Sequence, residues 1–169
     1  MKKKFLAAVM ALVMIGTTPV GVFADTMVKS YLTGLDVPES EGRVRPVAVM
    51  LNNIKQGCPQ SGIANAGVVY EAPVEGDITR LRGNFLRDYK DLERIDSVRS
   101  CRDYYIFYAN EFDAIYAHYG QSAFALPYFE QHLIDNLNGV KLGKICYFRS
   151  TDRRLRTMLI QHMTCFSRV

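Results

Sequence analysis

The pattern of apolar and polar positions predicts a domain that begins with three short strands. Residues 47–51 form a short apolar run after Pro46, which is typical of a buried strand. Residues 67–74 are β-branched and aromatic and predict a second strand, with Pro73 near its end. Residues 79–86 predict a third strand, while the segment between the first two contains Gly57, Pro59, Ser61 and Gly62 and predicts a loop.

The third predicted strand has two different faces, because successive side chains of a strand point to opposite sides. One face is apolar, and the other carries two arginines and an amide. The apolar face consists of Leu81, Gly83 and Phe85, and the polar face of Arg80, Arg82 and Asn84.

The second half of the chain predicts helices as well as strands. Residues 101–112 place aromatic side chains at three- and four-residue steps, which predicts an amphipathic helix whose aromatic stripe packs in the core. Residues 114–118 and 144–148 predict strands. A helix is predicted to run from Pro127 to about residue 137, with Gly139 ending it. The fold class is therefore α+β, a mixed sheet with packed helices in one domain.

The N-terminus has the layout of a cleavable signal peptide. Three lysines precede an apolar run over residues 5–15, which is shorter than the roughly 20 residues of a membrane-spanning helix. We place the cleavage site after Ala24, and residues 25–45 predict a mostly extended leader. No cysteine follows the apolar run, so we expect a secreted, envelope-associated protein without a lipid or other stable membrane anchor.

Charge and cysteine content exclude some functions. The chain has 21 Lys and Arg against 17 Asp and Glu, but removal of residues 1–24 takes away three lysines and leaves a net charge of +1. The basicity therefore belongs to the export signal and does not indicate nucleic-acid binding. The four cysteines form no C-x-x-C pair, which argues against zinc or a redox motif. The sequence also has no phosphate loop and no dinucleotide fingerprint, so we expect no metal site and no cofactor. Their spacing leaves the disulfide pairing open.

A set of short stretches follows one order between about Leu32 and Arg154. They are LTGL (32–35), RPVAVM (45–50), NN (52–53), PQSG (59–62), VYE (69–71), VEG (74–76), ITR (78–80), VRS (98–100) and FDAIY (112–116) with His118. Together they resemble the YerB-like family, a domain of unknown function in exported proteins and lipoproteins of Gram-positive bacteria. The resemblance implies a YerB-like N-terminal domain at residues 46–154 and no transferable activity.

The resemblance stops after Arg154. Relatives continue with a word like Ala-Pro-His-Asn, whereas this chain continues with Leu155. Codons can be chosen for residues 154–169 so that restoring one G gives the reading RAPHNAYTTYDLLFKG, which contains the expected word. We therefore predict that residues 155–169 are a frameshifted tail that fits the domain poorly. A divergent natural ending is the alternative.

Two glutamates and a histidine are weak catalytic candidates. Glu71 and Glu75 would share one face of a regular strand, about 13 Å apart along the backbone. Glycosidase carboxylates are roughly 5–9.5 Å apart, so simple geometry argues against a catalytic pair. The alternative is an ion pair of one glutamate with Arg80 or Arg82. His118 ends a predicted strand and precedes a glycine turn, where either a site residue or a structural histidine is expected.

Two arginines at the start of the aromatic helix predict an anion site. Arg99 and Arg102 flank Ser100, and guanidinium groups beside a helix N-terminus bind phosphate or carboxylate. Surface or interdomain salt bridges are the alternative.

Two function classes remain open. The first is non-catalytic binding of an anionic wall or small-molecule ligand through Arg80, Arg99, Ser100, Arg102 and His118. The second is an envelope hydrolase that uses Glu71 or Glu75 with His118.

Overall fold

The computed structural model describes residues 26–85, 92, 94–149 and 159–161. The strands are β1 (Met27–Lys29), β2 (Asp36–Pro38), β3 (Val47–Asn52), β4 (Val68–Val74), β5 (Ile78–Phe85), β6 (Ile95–Val98), β7 (Ile115–His118), β8 (Asn136–Asn138), β9 (Tyr147–Arg149) and β10 (Leu159–Gln161). The helices are α1 (Glu39–Gly42), α2 (Asp103–Asn110), α3 (Leu126–Glu130) and α4 (Gly139–Leu142). Short 3₁₀ turns occupy Lys55–Gly57, Ile63–Asn65 and Gly143–Ile145.

Strand β3 is the centre of a mixed eight-stranded sheet. It pairs with β5 along its whole length, antiparallel, and β4 lies beyond β5 at the edge. On its other side, the first half of β3 pairs in parallel with β7, and its end pairs with β6. Strand β8 continues the sheet beyond β7, and β10 and β9 continue it beyond β6. All six residues of β3 are buried, as its unbroken apolar run predicts.

The sheet has one core on each face. On the face that we call the loop face, Val47, Val49 and Leu51 pack with residues of the loop that follows β3. On the opposite face, which we call the helix face, Ala48 and Met50 pack against α2. The period of two along β3 therefore divides its side chains between the two cores.

The structure confirms most of the predicted elements. The first three predicted strands are β3, β4 and β5, the aromatic helix is α2, and residues 115–118 form β7. The two faces of β5 are also as predicted. Phe85 lies in the core of the loop face, while Arg80, Arg82 and Asn84 lie buried on the other face. The aromatic stripe of α2 packs in the core of the helix face. The α+β class of fold is confirmed.

The predicted helix from Pro127 to residue 137 is wrong in its second half. Helix α3 ends at Glu130, and His132 adopts a left-handed backbone conformation (φ 54°) that stops it. Residues 136–138 instead form β8, because Leu137 completes the core of the loop face and the strand pairs with β7. Periodicity does not separate a short helix from a buried strand in such a segment.

Gly139 begins a helix instead of ending one. The Asn138 side chain accepts a hydrogen bond from the Val140 amide and caps the start of α4. A Cβ atom at position 139 would lie 2.2 Å from the Tyr119 ring, so glycine is required there by close packing. Further on, the strand predicted over residues 144–148 begins only at Tyr147, after a 3₁₀ turn.

The segment predicted as an extended leader is folded in its described part. Strands β1 and β2 form an antiparallel hairpin with Val28 opposite Val37, and α1 follows. Gly42 packs against both valines. Local pairing therefore gives order to a segment whose polar composition suggested none.

The predicted signal peptide lies outside the described residues, as do residues 155–158 and 162–169 of the predicted frameshifted tail. The three described residues of the tail form strand β10, which pairs with both β6 and β9. A ladder uses backbone groups that any residue except proline supplies, so this pairing does not test how well the tail's side chains fit. The frameshift itself stays a prediction. Among the residues described, no helix is long and apolar enough to cross a membrane.

Candidate anion-binding site

The site begins with a buried row of polar side chains on β5. Arg80 lies opposite Asn52 of β3, and Arg82 lies opposite Met50, so both arginines face the side of the sheet that α2 covers. Only 6% of Arg80 and none of Arg82 is exposed. Burying a guanidinium group is costly unless it is hydrogen-bonded, so the partners of these arginines define the chemistry.

Ser100 is the meeting point of two arginines. Arg80 Nη1 donates hydrogen bonds to the Ser100 carbonyl and to Ser100 Oγ, the second at 3.2 Å. Arg102 Nη1 donates to the same Oγ at 3.3 Å and to the carbonyl of Cys101 at 3.0 Å. Since Ser100 Oγ accepts from both guanidinium groups, its own hydrogen is left to donate to a further acceptor.

Arg99 brings a third positive charge to this place. Its backbone amide donates to the Met50 carbonyl at 2.9 Å, and its carbonyl accepts from the Tyr119 amide, which fixes the residue between β3 and β7. Arg99 Nε and Arg80 Nε are buried and have no hydrogen-bond partner in the described part of the chain. The pKa of Arg80 is lowered by burial first, and then by the charges of Arg102 and Arg99. The three arginines therefore repel one another, and an anion among them would be stabilised.

Glu75 is the acid that contacts this cluster. Arg102 Nε donates to the two carboxylate oxygens at 2.8 and 2.9 Å, and Arg102 Nη2 donates to Oε2 at 2.7 Å. These bonds hold the pKa of Glu75 at about 2, well below its usual value. Asp103, the first residue of α2, is a second acid nearby, but among the described residues no hydrogen bond joins it to the three arginines. We call Arg80, Arg99, Ser100 and Arg102 the arginine cluster.

Glu71 does not share a partner with Glu75. Its Oε1 accepts from Asn53 Nδ2 at 3.0 Å and from Thr79 Oγ1 at 2.5 Å. The ion pair expected for one glutamate does form, but Glu75 makes it with Arg102 and not with Arg80 or Arg82. The reason is that β4 ends at Val74, so Glu75 lies in a turn and its side chain does not follow the alternating directions of the strand. The two carboxylates are not brought together over one ligand.

His118 is buried, and both of its ring nitrogens have partners. Nδ1 lies 2.7 Å from the Gly120 carbonyl, and Nε2 lies 3.3 Å from Asn136 Oδ1. The imidazole stacks on the Phe129 ring at 4.8 Å. Burial lowers its pKa, so the neutral form is favoured. The ring is thus held as a packed side chain, although its neighbours in sequence lie beside the cluster, since the Gly120 carbonyl also accepts from the Cys101 amide.

Arg82 lies in a cage of tyrosines that sequence reasoning did not assign to the site. Its guanidinium carbon lies 4.4 Å from the centre of the Tyr70 ring and 5.9 Å from that of Tyr108. Within the described residues, Arg82 Nη1 donates a hydrogen bond to the Tyr105 carbonyl at 3.4 Å, and burial lowers the pKa of Arg82 to about 10. The alternation of arginines on β5 indicated a shared face, but only the tertiary structure shows that aromatic rings enclose Arg82 and leave Arg80 at the cluster.

Other features of the described chain do not add a cofactor site. No group of three or more His, Cys, Asp or Glu side chains is placed to hold a metal ion among the described residues. A separate open groove of about 410 Å³ is lined by Tyr31, Arg43, Arg45, Asn110, Glu111, Phe112 and Asp113. Its two arginines already pair with acids, Arg43 with Glu39 and Arg45 with Asp113 and Asp135.

Comparison with known proteins shows what the chain is similar to. The family model described as "Protein of unknown function (DUF3048) N-terminal domain" matches residues 32–168. A Bacillus subtilis (strain 168) protein named "Putative lipoprotein YerB" is 37% identical over 122 residues, which are 72% of this chain and 36% of that protein. The crystal structure of the YerB protein from Bacillus subtilis matches with a TM-score of 0.77 and 32% identity, over 83% of this chain and 48% of that one. The chain thus spans less than half the length of the relatives it matches.

Proposed function

Since the chain belongs to the family of DUF3048 N-terminal domains, we propose that it is a non-catalytic bacterial envelope protein that binds an anionic ligand at the arginine cluster. The ligand class is a phosphate- or carboxylate-bearing wall component or small molecule. The resemblance to the YerB-like family supports an envelope protein and names no ligand, so the ligand class rests on the geometry of the site.

The convergence of three arginines around Ser100 is the observation that carries the proposal. Arg80 and Arg102 both donate to Ser100 Oγ, the charge of Arg99 acts on Arg80, and Glu75 is the carboxylate that bonds there among the described residues. Arginine recognises phosphate and carboxylate through paired N–H groups, and such charge-assisted bonds are stronger than neutral ones. A catalytic function has no comparable support, because the carboxylates Glu71 and Glu75 and the His118 ring have separate partners.

Export is part of the same proposal. The layout of residues 1–24 supports a cleaved signal, and the Bacillus subtilis relative is named a lipoprotein. We expect N-terminal sequencing of protein recovered from the culture medium to begin at or near Asp25. Recovery of the intact chain from the cytoplasm alone would contradict this.

Calorimetric titration of the protein tests the binding function. Inorganic pyrophosphate and citrate serve as probes for the two ligand chemistries. The wild-type protein should bind at least one probe, and binding should weaken as salt is added because the interaction is electrostatic. Arg99→Ala combined with Arg102→Ala should reduce the affinity at least tenfold, since two of three guanidinium groups are removed.

A matched control separates the cluster from general charge. Lys29 and Arg43 are exposed cations away from the site, so Lys29→Ala combined with Arg43→Ala removes the same net charge. This control should bind like wild type, and thermal melts should show that both double variants are folded. Failure of wild type to bind either probe, or equal weakening in the two double variants, would refute the proposal.

A further inference from the structure

Glu75 differs sharply in exposure from the arginine that it contacts. The Arg102 side chain is 16% exposed and is also bonded to Ser100 and Cys101, so its position is fixed by the fold. The Glu75 side chain is 70% exposed, and within the described residues Arg102 is the side chain that donates hydrogen bonds to it. The arginine is therefore a built part of the site, whereas the carboxylate is reached by solvent and can be replaced.

The turn that carries Glu75 is suited to such a replacement. Val74 pairs with Ile78, so Glu75, Gly76 and Asp77 form a three-residue connection between β4 and β5. Gly76 and Asp77 have left-handed φ angles of 79° and 55°, and a Cβ atom at Gly76 would meet nothing within 4 Å. The turn therefore packs against nothing at its tip, and the Glu75–Arg102 bonds are what hold its side chain on the cluster.

The contact geometry is that of a carboxylate ligand on a guanidinium fork. Both oxygens of Glu75 are engaged by Nε and Nη2 of Arg102, which is the arrangement by which arginine recognises a carboxylate in trans. The charge of Glu75 also acts on Arg80 in the same cluster. The anionic group of a ligand would need the same N–H donors of Arg102 and would be repelled by the negative charge of Glu75.

We propose that Glu75 is a resident competitor, an internal carboxylate that occupies the Arg102 subsite until an external anion displaces it. This inference rests on the proposed anion-binding function and concerns the regulation of that same site. Its consequence is that the wild-type protein binds anions more weakly than its arginines would allow, and that the competitor sets the ligand concentration at which the site fills.

The test compares two isosteric, charge-removing variants in one turn. Glu75→Gln removes the competing charge, whereas Asp77→Asn removes an equal charge two residues away and keeps a side chain that tolerates a left-handed backbone. With pyrophosphate and citrate as the probes at 0.15 M salt, Glu75→Gln should bind about fivefold more tightly than wild type, the factor expected for loss of one exposed ion pair. Asp77→Asn should change the affinity less than twofold, because a charge that does not contact the site is screened.

Each outcome has one meaning. Tighter binding by Glu75→Gln alone supports the inference. Equal affinities of wild type and Glu75→Gln, or equal gains in the two variants, overturn the competitor while the binding function stands. Absence of binding by wild type and Glu75→Gln alike overturns both.

Discussion

The Tyr105 hydroxyl offers the sharpest test of how the sheet is held against α2. It accepts a hydrogen bond from the Ala72 amide at 2.9 Å, and the Arg80 carbonyl lies 2.5 Å from it as an acceptor. Burial raises the pKa of Tyr105 to about 12, so the hydroxyl keeps its proton and can donate. One side chain of the helix thereby joins edge strand β4 and strand β5. The Ala72 carbonyl is a second acceptor, 3.1 Å from the hydroxyl, which has one hydrogen to donate. Replacement of Tyr105 by phenylalanine therefore removes one accepted and one donated hydrogen bond and keeps the ring.

The expected loss follows from the partners that remain. Two hydrogen bonds contribute about 1 kcal/mol each to stability, and a buried backbone group left unpaired costs about 1–3 kcal/mol. Water reaches Ala72, which is only partly buried, so its amide pays little of the cost of an unpaired group, and we expect a loss close to that of the two bonds themselves, about 2–3 kcal/mol. Against a total stability of roughly 5–15 kcal/mol this is a large fraction.

Urea unfolding followed by circular dichroism measures the effect. With a slope of about 1–3 kcal/mol per molar urea, Tyr105→Phe should lower the midpoint by about 1 M. Tyr108→Phe is the control, because its hydroxyl has no hydrogen bond to the described residues while its ring packs in the same aromatic group. The control should lie within about 0.5 kcal/mol of wild type. A Tyr105→Phe variant as stable as the control would refute the reasoning.

Two further predictions concern buried charge. The pKa of Arg82 is lowered to about 10 from the usual 12.5, which means that burial destabilises the charged guanidinium by about 3 kcal/mol. Its position over the Tyr70 ring offsets about 2 kcal/mol of that cost. Arg82→Met should therefore leave the free energy of unfolding unchanged or raise it by about 1 kcal/mol in urea unfolding, and a loss above about 2 kcal/mol would contradict this. The pKa of His118 is lowered by burial, so the unfolded chain takes up a proton first and stability falls as the pH drops below about 6.5. Nitrogen NMR should show that the His118 ring is half-protonated at a lower pH than a free histidine, and half-protonation at pH 6.5 or above would be inconsistent with its burial.

Sequence periodicity predicted the parts of the fold that follow from local alternation. The arginine face of β5 is correct because the strand is regular and its partner β3 is apolar on both sides. The prediction of the aromatic helix is confirmed because the aromatic side chains on one side of α2 all pack into the core of the helix face. The structure of residues 131–138 could not be predicted in this way, because β8 forms by pairing with β7 and its own sequence pattern does not indicate a strand.

The candidate site shows the same division. Arg99, Ser100 and Arg102 are close in sequence, so a local group of guanidinium side chains was predictable, and the alternation of β5 placed Arg80 on the face that α2 covers. Anion binding by this group stays a prediction. The partner of Arg102 was not predictable, because Glu75 leaves the strand at a turn and reaches across to the start of α2. The hydrogen-bond partner of His118 Nε2 was not predictable either, because Asn136 is brought next to His118 by the pairing of β7 and β8.

The position of β3 has a consequence for the order of events in folding. This central strand is among the first to be synthesised, yet Val47 pairs with Ile115, far along the chain. Loop closure over such a distance must occur before the pairing contributes, and sheets with distant partners fold slowly. The centre of the sheet therefore cannot form until β7 has been synthesised, by which point most of the chain is available. If the chain is exported as proposed above, this delay would keep the polypeptide unfolded until it has crossed the membrane.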